Sequence, residues 1–568
     1  MKFSALHHRH FLPLTLLFLG FGGVLVAGIL AAFFTREDGG IYSYSWIINA
    51  DWMMHLSQVM AFSKLPFWYV LTHNPIYAEA PLNYPFFVNW FSGVLYALSG
   101  DLVFAMLLPM ILGTFIFLGG AYFLAYTLTG SRWIPFFALS LLFFGAGFHV
   151  FTLFSSPDLA HILSQRDYEQ DAFLVKQGYH WKAFFETSFL PQRALMWGMG
   201  VGFFLFGIFC KWWKKDFQGT SSLHLFLLGC GFGMLSFLHT HSLLFAFLFF
   251  ALLGVWNIKK WYSFLWIGMG AITIAIPVFS VVLLRDTESF LSLFPLRWAG
   301  ENAVVFWLKN WGVIPLLFLF LWKPLFIKVW NRNEGAKESE AVIRIWEVFV
   351  SVAGVFLISN IIQLQPNWWD NTKIWVWVLF FVGVLGGKAV QWAWEKSKTP
   401  ERKTKWGIQT GIFLWGILAT ISGIWMSFSP FFSAGNPLQI FSAPELKKAE
   451  VFRGNIPPEA LILTSDYFKT FVGPLTPNQM VMGYRGWLQS YGINTNPRSE
   501  AVQKMFSGGA PAKKLFAELG VQFVVIDSAA RRDWSADEDF FEHEYEKVLS
   551  FPDGTRVYKI SAGTPEYQ

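Results

Sequence analysis

The sequence predicts a polytopic α-helical membrane protein of about eleven transmembrane helices, with a small α/β domain at its C-terminal end on the extracytoplasmic side. Three observations predict this class. Of 568 residues, 54% are hydrophobic and only 14% charged, with 64 Phe and 29 Trp, too little polar surface to enclose a soluble core of this size. The apolar residues fall into runs of about 20, the length that crosses a hydrocarbon layer ~30 Å thick. Lys and Arg, the source of a net charge of +6, collect in alternate connections, as they do in cytoplasmic loops. The basic excess is thereby accounted for without a nucleic-acid partner.

The first run, 12–34, follows "MKFSALHHRHF". It is longer than a signal-peptide core and no small-residue cleavage site follows it, so it reads as a retained helix. Further crossings are expected at 103–127, 133–153, 195–210, 223–238, 241–257, 262–284, 304–325, 345–363, 374–392 and 407–428. The connections at 129–133, 211–217, 257–261, 328–344 and 396–406 all carry Lys or Arg. With Lys2 and Arg9 in the cytoplasm, every one of them lies inside. The apolar stretch "NYPFFVNWFSGVLYALSG" (83–100) would invert that pattern if it crossed, so it is assigned as a helix lying in the interface.

This topology gathers 35–102, 154–194, 285–303, 364–373, the turn at His239–His241 and the whole tail on the outer face. It divides the chain into a membrane domain, 1–430, and an extracytoplasmic domain, 431–568. In the tail, 460–466 and 521–527 read as buried strands and 499–509 and 510–520 as helices ended by Gly, an α/β pattern. The cysteines, Cys210 and Cys230, both sit in apolar runs, which argues against a disulfide framework.

Polar residues in the outer segments are the candidate site. In "NADWMMHLSQ", Asp51 and His55 stand at i, i+4 and share one helical face. His239 and His241 interrupt a long apolar stretch, where ionisable groups face a cavity or a partner, or mark a tight turn. "QPNWWDNTK" places Asp370, Asn371 and Lys373 at a helix start, where Lys373 can hold a phosphate and the Asp or Asn can cap the helix. Arg193 stands at the mouth of another crossing, placed to grip a lipid phosphate or to anchor the helix at the interface. Asp158, His161, Glu186, Gln192, Arg285 and Arg297 add to the polar character of this side. No Walker loop, GxGxxG, zinc-type cysteine cluster or Gly-x-Ser-x-Gly element is present, which leaves activated lipids as the natural energy source.

The ordered set "NADWMMHLSQ", "FLPQRALMWGMG", "LHTHSLLF", "WWDNTKIW" and the tail segments "PPEALILTSD", "MGYRGWLQSYGIN" and "LGVQFVVID" resembles the integral-membrane glycosyltransferases of the GT-C class, in particular bacterial and archaeal proteins similar to dolichyl-phosphate-mannose protein mannosyltransferases. The resemblance implies an inverting hexosyl transfer from a polyprenyl-phosphate carrier to a hydroxyl of a glycan, lipid or protein acceptor. It implies a multi-pass protein of the inner (plasma) membrane, embedded in the bilayer. It implies that Asp51 is the catalytic base or a metal ligand. The acidic pair usual in that class is absent, since Trp52 follows Asp51; a divalent metal ion stays open, as does His55 as the partner of Asp51. Arg193, His239, His241, Asp370, Asn371 and Lys373 are the expected substrate-binding residues. Two other readings stand beside this one. A flippase or transporter would carry charges deep in several helices and two related halves. A non-catalytic envelope-assembly protein would bind a polymer through the aromatics of "MGYRGWLQSYG".

Overall fold

The computed structural model describes residues 11–164, 167–283, 292–293, 297–317, 336–365, 367–396, 402–433 and 437–560. Arg285, the basic segment 328–335 and residues 318–325 of the expected crossing at 304–325 lie outside the described residues. Among the described residues, six stretches are long and apolar enough to cross a membrane: Leu102–Thr129, Arg193–Trp213, Ile258–Val282, Arg344–Ile361, Trp368–Glu395 and Trp406–Phe431. Shorter apolar helices accompany them, among them Leu16–Ala32, Ser222–Leu238 and Thr240–Trp256.

Two expected crossings are not continuous helices. The one expected at 133–153 stops at Phe144 after 11 residues and resumes as the short helix His149–Phe154. The break coincides with a close approach. A Cβ on Gly147 would stand 1.6 Å from the Lys309 carbonyl oxygen, so the helix Ala303–Trp311 presses directly on this backbone. That second helix, which opens the 304–325 prediction, is only 9 residues long and ends at Gly312, which has a positive φ of 54°.

The elements that shape the site are α1 (Ile48–Lys64), α2 (Phe87–Ser99), α3 (Leu102–Thr129), α4 (Arg193–Trp213), α5 (Ser222–Gly233), α6 (Thr240–Trp256), α7 (Trp261–Val278) and α8 (Thr372–Lys396). The 13 residues of α2 span about 20 Å at 1.5 Å per residue, too short to cross alone. This helix packs instead on α1 and α3. Glycines draw α7 against α5: a Cβ on Gly229 would lie 2.1 Å from the Ile267 carbonyl, and one on Gly270 2.0 Å from that of Phe226. Small residues of this kind let helix backbones approach closely. Held there, α7 leaves a gap beside α6.

The two ends of the bundle differ. At one end the basic connections meet: Asp216 pairs with both Lys260 and Arg344, and the Arg344 guanidinium lies 4.7 Å from the Trp213 ring. Lys214 Nζ donates to the Leu128 carbonyl at 2.9 Å in the same region. The other end carries the C-terminal unit, docked on the segment between the first helix and α3. Strand Ile41–Ser43 pairs with Leu438–Phe441, Gly483 N–H donates to the Ile76 carbonyl at 2.7 Å, and Met480 N–H to that of Pro75 at 2.9 Å. Within this unit, Leu461–Leu463 lies between Gln479–Met480 and Phe523–Ile526, parallel to both, in a sheet completed by two antiparallel strands. The helices Asn496–Phe506 and Gly509–Leu519 flank it, the second closed by Gly520 in the left-handed region.

Candidate functional site

A cavity of about 1610 Å³ opens at the end that carries the C-terminal unit. Its walls come from α1, the segment around Tyr84, the 171–192 connection, the α5–α6 turn, α7, and the start of α8. Asp51, His55, His239, His241, Asp370 and Lys373 all line it, drawn from three parts of the chain far apart in sequence.

Asp51 lies in the first turn of α1. Its carboxylate makes no hydrogen bond or ion pair with any described residue. Burial raises its pKa from the ordinary 3.8 to about 6; the Lys373 ammonium opposes the rise and the Asp370 carboxylate adds to it. Both charges belong to one pair, Lys373 Nζ donating to Asp370 Oδ1 at 2.9 Å. The chamber therefore holds an unpartnered acid beside a lysine already anchored on one side.

His55 is held differently. Arg193 Nη1 donates to Asn89 Oδ1 at 3.1 Å, which fixes the Asn89 amide so that its Nδ2 donates to Gln58 Oε1 at 2.7 Å and to His55 Nδ1 at 3.1 Å. His55 Nδ1 is thus an acceptor, leaving Nε2–H for the Pro191 backbone. Burial, reinforced by the Arg193 guanidinium, pushes the imidazole pKa down to about 3, so the ring is neutral. No bond joins His55 to Asp51 among the described residues, although the i, i+4 spacing puts both on one face.

The histidine turn sits where α6 begins. His239 adopts an extended φ of −165° between Leu235–Leu238 and α6. The turn fits against α4 because position 198 is glycine: a Cβ there would stand 2.2 Å from the His239 Cβ. Trp377 Nε1 donates to Ser242 Oγ at 3.1 Å, and Ser242 Oγ shares a hydrogen bond of 2.8 Å with His239 Nδ1. His239 Nε2 finds no hydrogen-bond partner in the described structure. The His241 ring lies 5.3 Å from that of His239, and its Nε2 is also unpartnered.

Two expected substrate-binding residues, Arg193 and Asn371, do not line the cavity. Arg193 is fully buried and donates to Asn89, Ser92 and the Met106 carbonyl, tying α4 to α2 and α3. The guanidinium satisfies the fold before any ligand can reach it. Asn371 accepts from Leu364 N–H at 3.0 Å and donates to the Ser359 and Ile362 carbonyls at 3.0 and 2.8 Å, bracing the connection before α8. Asp158 and His161 are exposed and do not line the cavity, Glu186 receives the Ser45 hydroxyl at 2.6 Å, and Gln192 does line it. Missed in the sequence were His180, Lys182 and Tyr84, all cavity-lining; Trp487 and Tyr491, noted in the sequence only as aromatics of a polymer-binding stretch in the tail, line the same cavity. Lys182, paired with Asp171 and buried in an aromatic stretch, was recoverable as a lysine flanked by Trp181 and Phe184.

Below the chamber the cavity continues as an apolar arm between α6 and α7, lined by Leu243, Phe247, Phe250, Gly268, Ile272 and Ile276 among others. From Phe264 to Ile276 the lining covers about 18 Å of helix at 1.5 Å per residue.

No protein-family model matches the chain, and neither does any curated protein. Solved structures of the Archaeoglobus fulgidus oligosaccharyltransferase do match. The form tethered with an acceptor peptide containing the NVT sequon superposes with a TM-score of 0.48 at 10% identity, over 96% of this chain and 74% of that one. The complex with an inhibitory peptide and a dolichol-phosphate gives 0.44 at 12%, over 96% and 74%. The complex with Zn and sulfate gives 0.42 at 12%, over 95% and 72%.

A divalent ion was the one cofactor left open by the sequence. Among the described residues there is no group of three or more His, Cys, Asp or Glu side chains placed to hold a metal. The cation whose charge acts on the unpartnered acid is Lys373.

Proposed function

We propose that the protein is a membrane glycosyltransferase that moves a sugar from a polyprenyl-phosphate carrier to an acceptor hydroxyl, inverting the anomeric centre. One observation carries this reading: a single cavity joins an apolar arm between two membrane helices to a chamber holding an unpartnered carboxylate, a lysine and two histidines. An isoprenoid chain suits the arm by its chemistry. Its phosphate then stands at the level of Lys373 and the unpartnered His239 Nε2, with the lysine giving a charge-assisted contact of the kind that holds phosphate.

The step needs little else. The acceptor hydroxyl gives its proton to the Asp51 carboxylate, and its oxygen forms the new bond at the anomeric carbon from the face opposite the phosphate. The bond between that carbon and the phosphate oxygen breaks, and its electron pair stays on the phosphate, where Lys373 balances the added charge. Asp51 is matched to the task because its raised pKa makes it a stronger base than a surface carboxylate while it remains ionised at neutral pH.

The cluster of basic connections is assigned to the cytoplasm, which sets the cavity and the C-terminal unit on the extracytoplasmic side of the plasma membrane. Purified protein in lipid nanodiscs, given radiolabelled polyprenyl-phosphate sugars and an extract of cell-envelope acceptors, is expected to release label from at least one carrier. Retention of label on every carrier would refute the reading.

A further inference from the structure

One wall of the cavity is used by neither the phosphate nor the lipid arm. It is built from Tyr84 and from α9 (Arg485–Ser490) with its flanks, which bring Tyr484, Trp487, Ser490 and Tyr491 to the cavity surface. The Tyr84 and Tyr491 rings lie 5.6 Å apart, and those of Tyr484 and Trp487 5.2 Å apart at 75°. The phenol groups of Tyr84, Tyr484 and Tyr491 and the indole N–H of Trp487 make no hydrogen bond with any described residue. Charge is absent from this wall. Arg485, the cation on α9, does not line the cavity and donates to Asp466 at 2.7 Å while lying 5.7 Å from the Trp534 ring.

We infer that this wall is the acceptor subsite and that the acceptor is a saccharide; the inference rests on the transferase reading above. A pyranose ring offers an apolar C–H face rimmed by hydroxyls. Aromatic rings carrying phenol or indole donors at their edges match both features at once, whereas a phosphate or an anionic headgroup would find no cation here. The wall is also preorganised. Besides the Arg485–Asp466 pair, Trp534 Nε1 donates to Asp466 Oδ1 at 3.0 Å, and the Gly483 and Met480 amides bind the 75–76 carbonyls of the segment that carries Tyr84. Rigid aromatic walls hold a ligand with little ordering cost. Tyr84 and Tyr491 both lie within electrostatic range of Asp51, which places a stacked sugar beside the base that would deprotonate its hydroxyl.

Saturation-transfer NMR on the full chain in nanodiscs reads this contact without any donor. The probes are maltotriose, mannotriose, chitotriose and a Ser/Thr-containing heptapeptide. Ring-proton contacts are expected for at least one trisaccharide and none for the peptide. Trp487→Ala and Tyr491→Ala should each weaken the contact about tenfold, with Trp487→Phe retaining most of it. Absence of every trisaccharide contact, undiminished contact in Trp487→Ala, or contact with the peptide in place of the sugars would overturn the inference. Any of these leaves donor turnover intact if the transferase reading is right. Trisaccharide contact in a protein that releases no sugar from any carrier would fault the transferase reading and leave the saccharide subsite standing.

Discussion

Asp51 makes a measurable claim about stability as well as chemistry. Its folded pKa of about 6 stands above the ordinary 3.8, so the folded protein holds this proton more tightly than the unfolded chain. The stabilising effect is full below the ordinary 3.8, fades as the pH rises towards 6 and is gone above it, where the buried carboxylate is ionised in the folded protein. Asp51→Asn is therefore expected to raise the thermal midpoint at pH 8 and to gain progressively less as the pH falls from 6 towards 4, as scanning fluorimetry in detergent would read. Arg193 gives the opposite case. Arg193→Gln should destabilise by about 2–3 kcal/mol, the scale for losing charged hydrogen bonds in a buried setting, while the folded fraction keeps its affinity for a polyprenyl-phosphate film. Asp51, His239 and His241 were legible in the sequence because an ionisable residue amid apolar neighbours has few uses. The direction of Arg193 and of Asn371 was not, since an arginine or asparagine at a helix start reads alike whether it faces a ligand or braces a turn. Tyr84 was hidden, and Trp487 and Tyr491 were visible only as aromatics of the tail and not as walls of this cavity, for another reason: aromatics are abundant here, with 64 Phe, 29 Trp and 17 Tyr, and no spacing separates a cavity wall from an interfacial belt.

Among the helices, the outcome depends on where glycine allows backbones to touch. The close fit of α5 on α7 through Gly229 and Gly270 leaves the arm between α6 and α7, and Gly268 faces that arm with nothing within 4 Å of an added Cβ. Gly268→Phe should leave folding intact and obstruct the arm. Transfer from a long-chain carrier should fall by at least about tenfold, and a donor with a ten-carbon chain should suffer less, as product counting with paired donors would show. Gly198→Ala acts on the histidine turn, because the added methyl meets His239 at 2.2 Å. Overpacking of this kind costs about 1–3 kcal/mol, and the displaced turn should raise the KM for the carrier, measured by initial rates in nanodiscs. Apolar runs revealed most of these helices. The interruption at Gly145–Phe148 escaped sequence reading because Gly-Ala-Gly inside an apolar stretch continues the hydropathy pattern, while Ala303–Trp311 packs closely on it from a distant part of the chain.

Across the whole molecule, two polar ends with different chemistry frame an apolar bundle. One end concentrates basic loops around Asp216 and Arg344, as the alternating charges of the sequence indicate. The other holds the cavity and the C-terminal unit, whose strands and helices were readable from their periodicity but whose pairing with 41–43 and 75–77 joins segments about 400 residues apart and leaves no local trace. That docking makes the site a composite of the first connection, the α5–α6 turn, the start of α8 and the tail. The central claim is that Asp51 deprotonates the acceptor in this cavity. It is tested most directly by the pH profile of sugar transfer from a radiolabelled polyprenyl-phosphate donor, measured for wild type and Asp51→Asn at matched folded concentration. The wild-type rate should fall on the acid side with a midpoint near pH 6; Asp51→Asn should lose about 10²–10⁴-fold in rate, together with that acid limb. A folded Asp51→Asn protein that transfers at the wild-type rate, with the acid limb unchanged, would contradict the account.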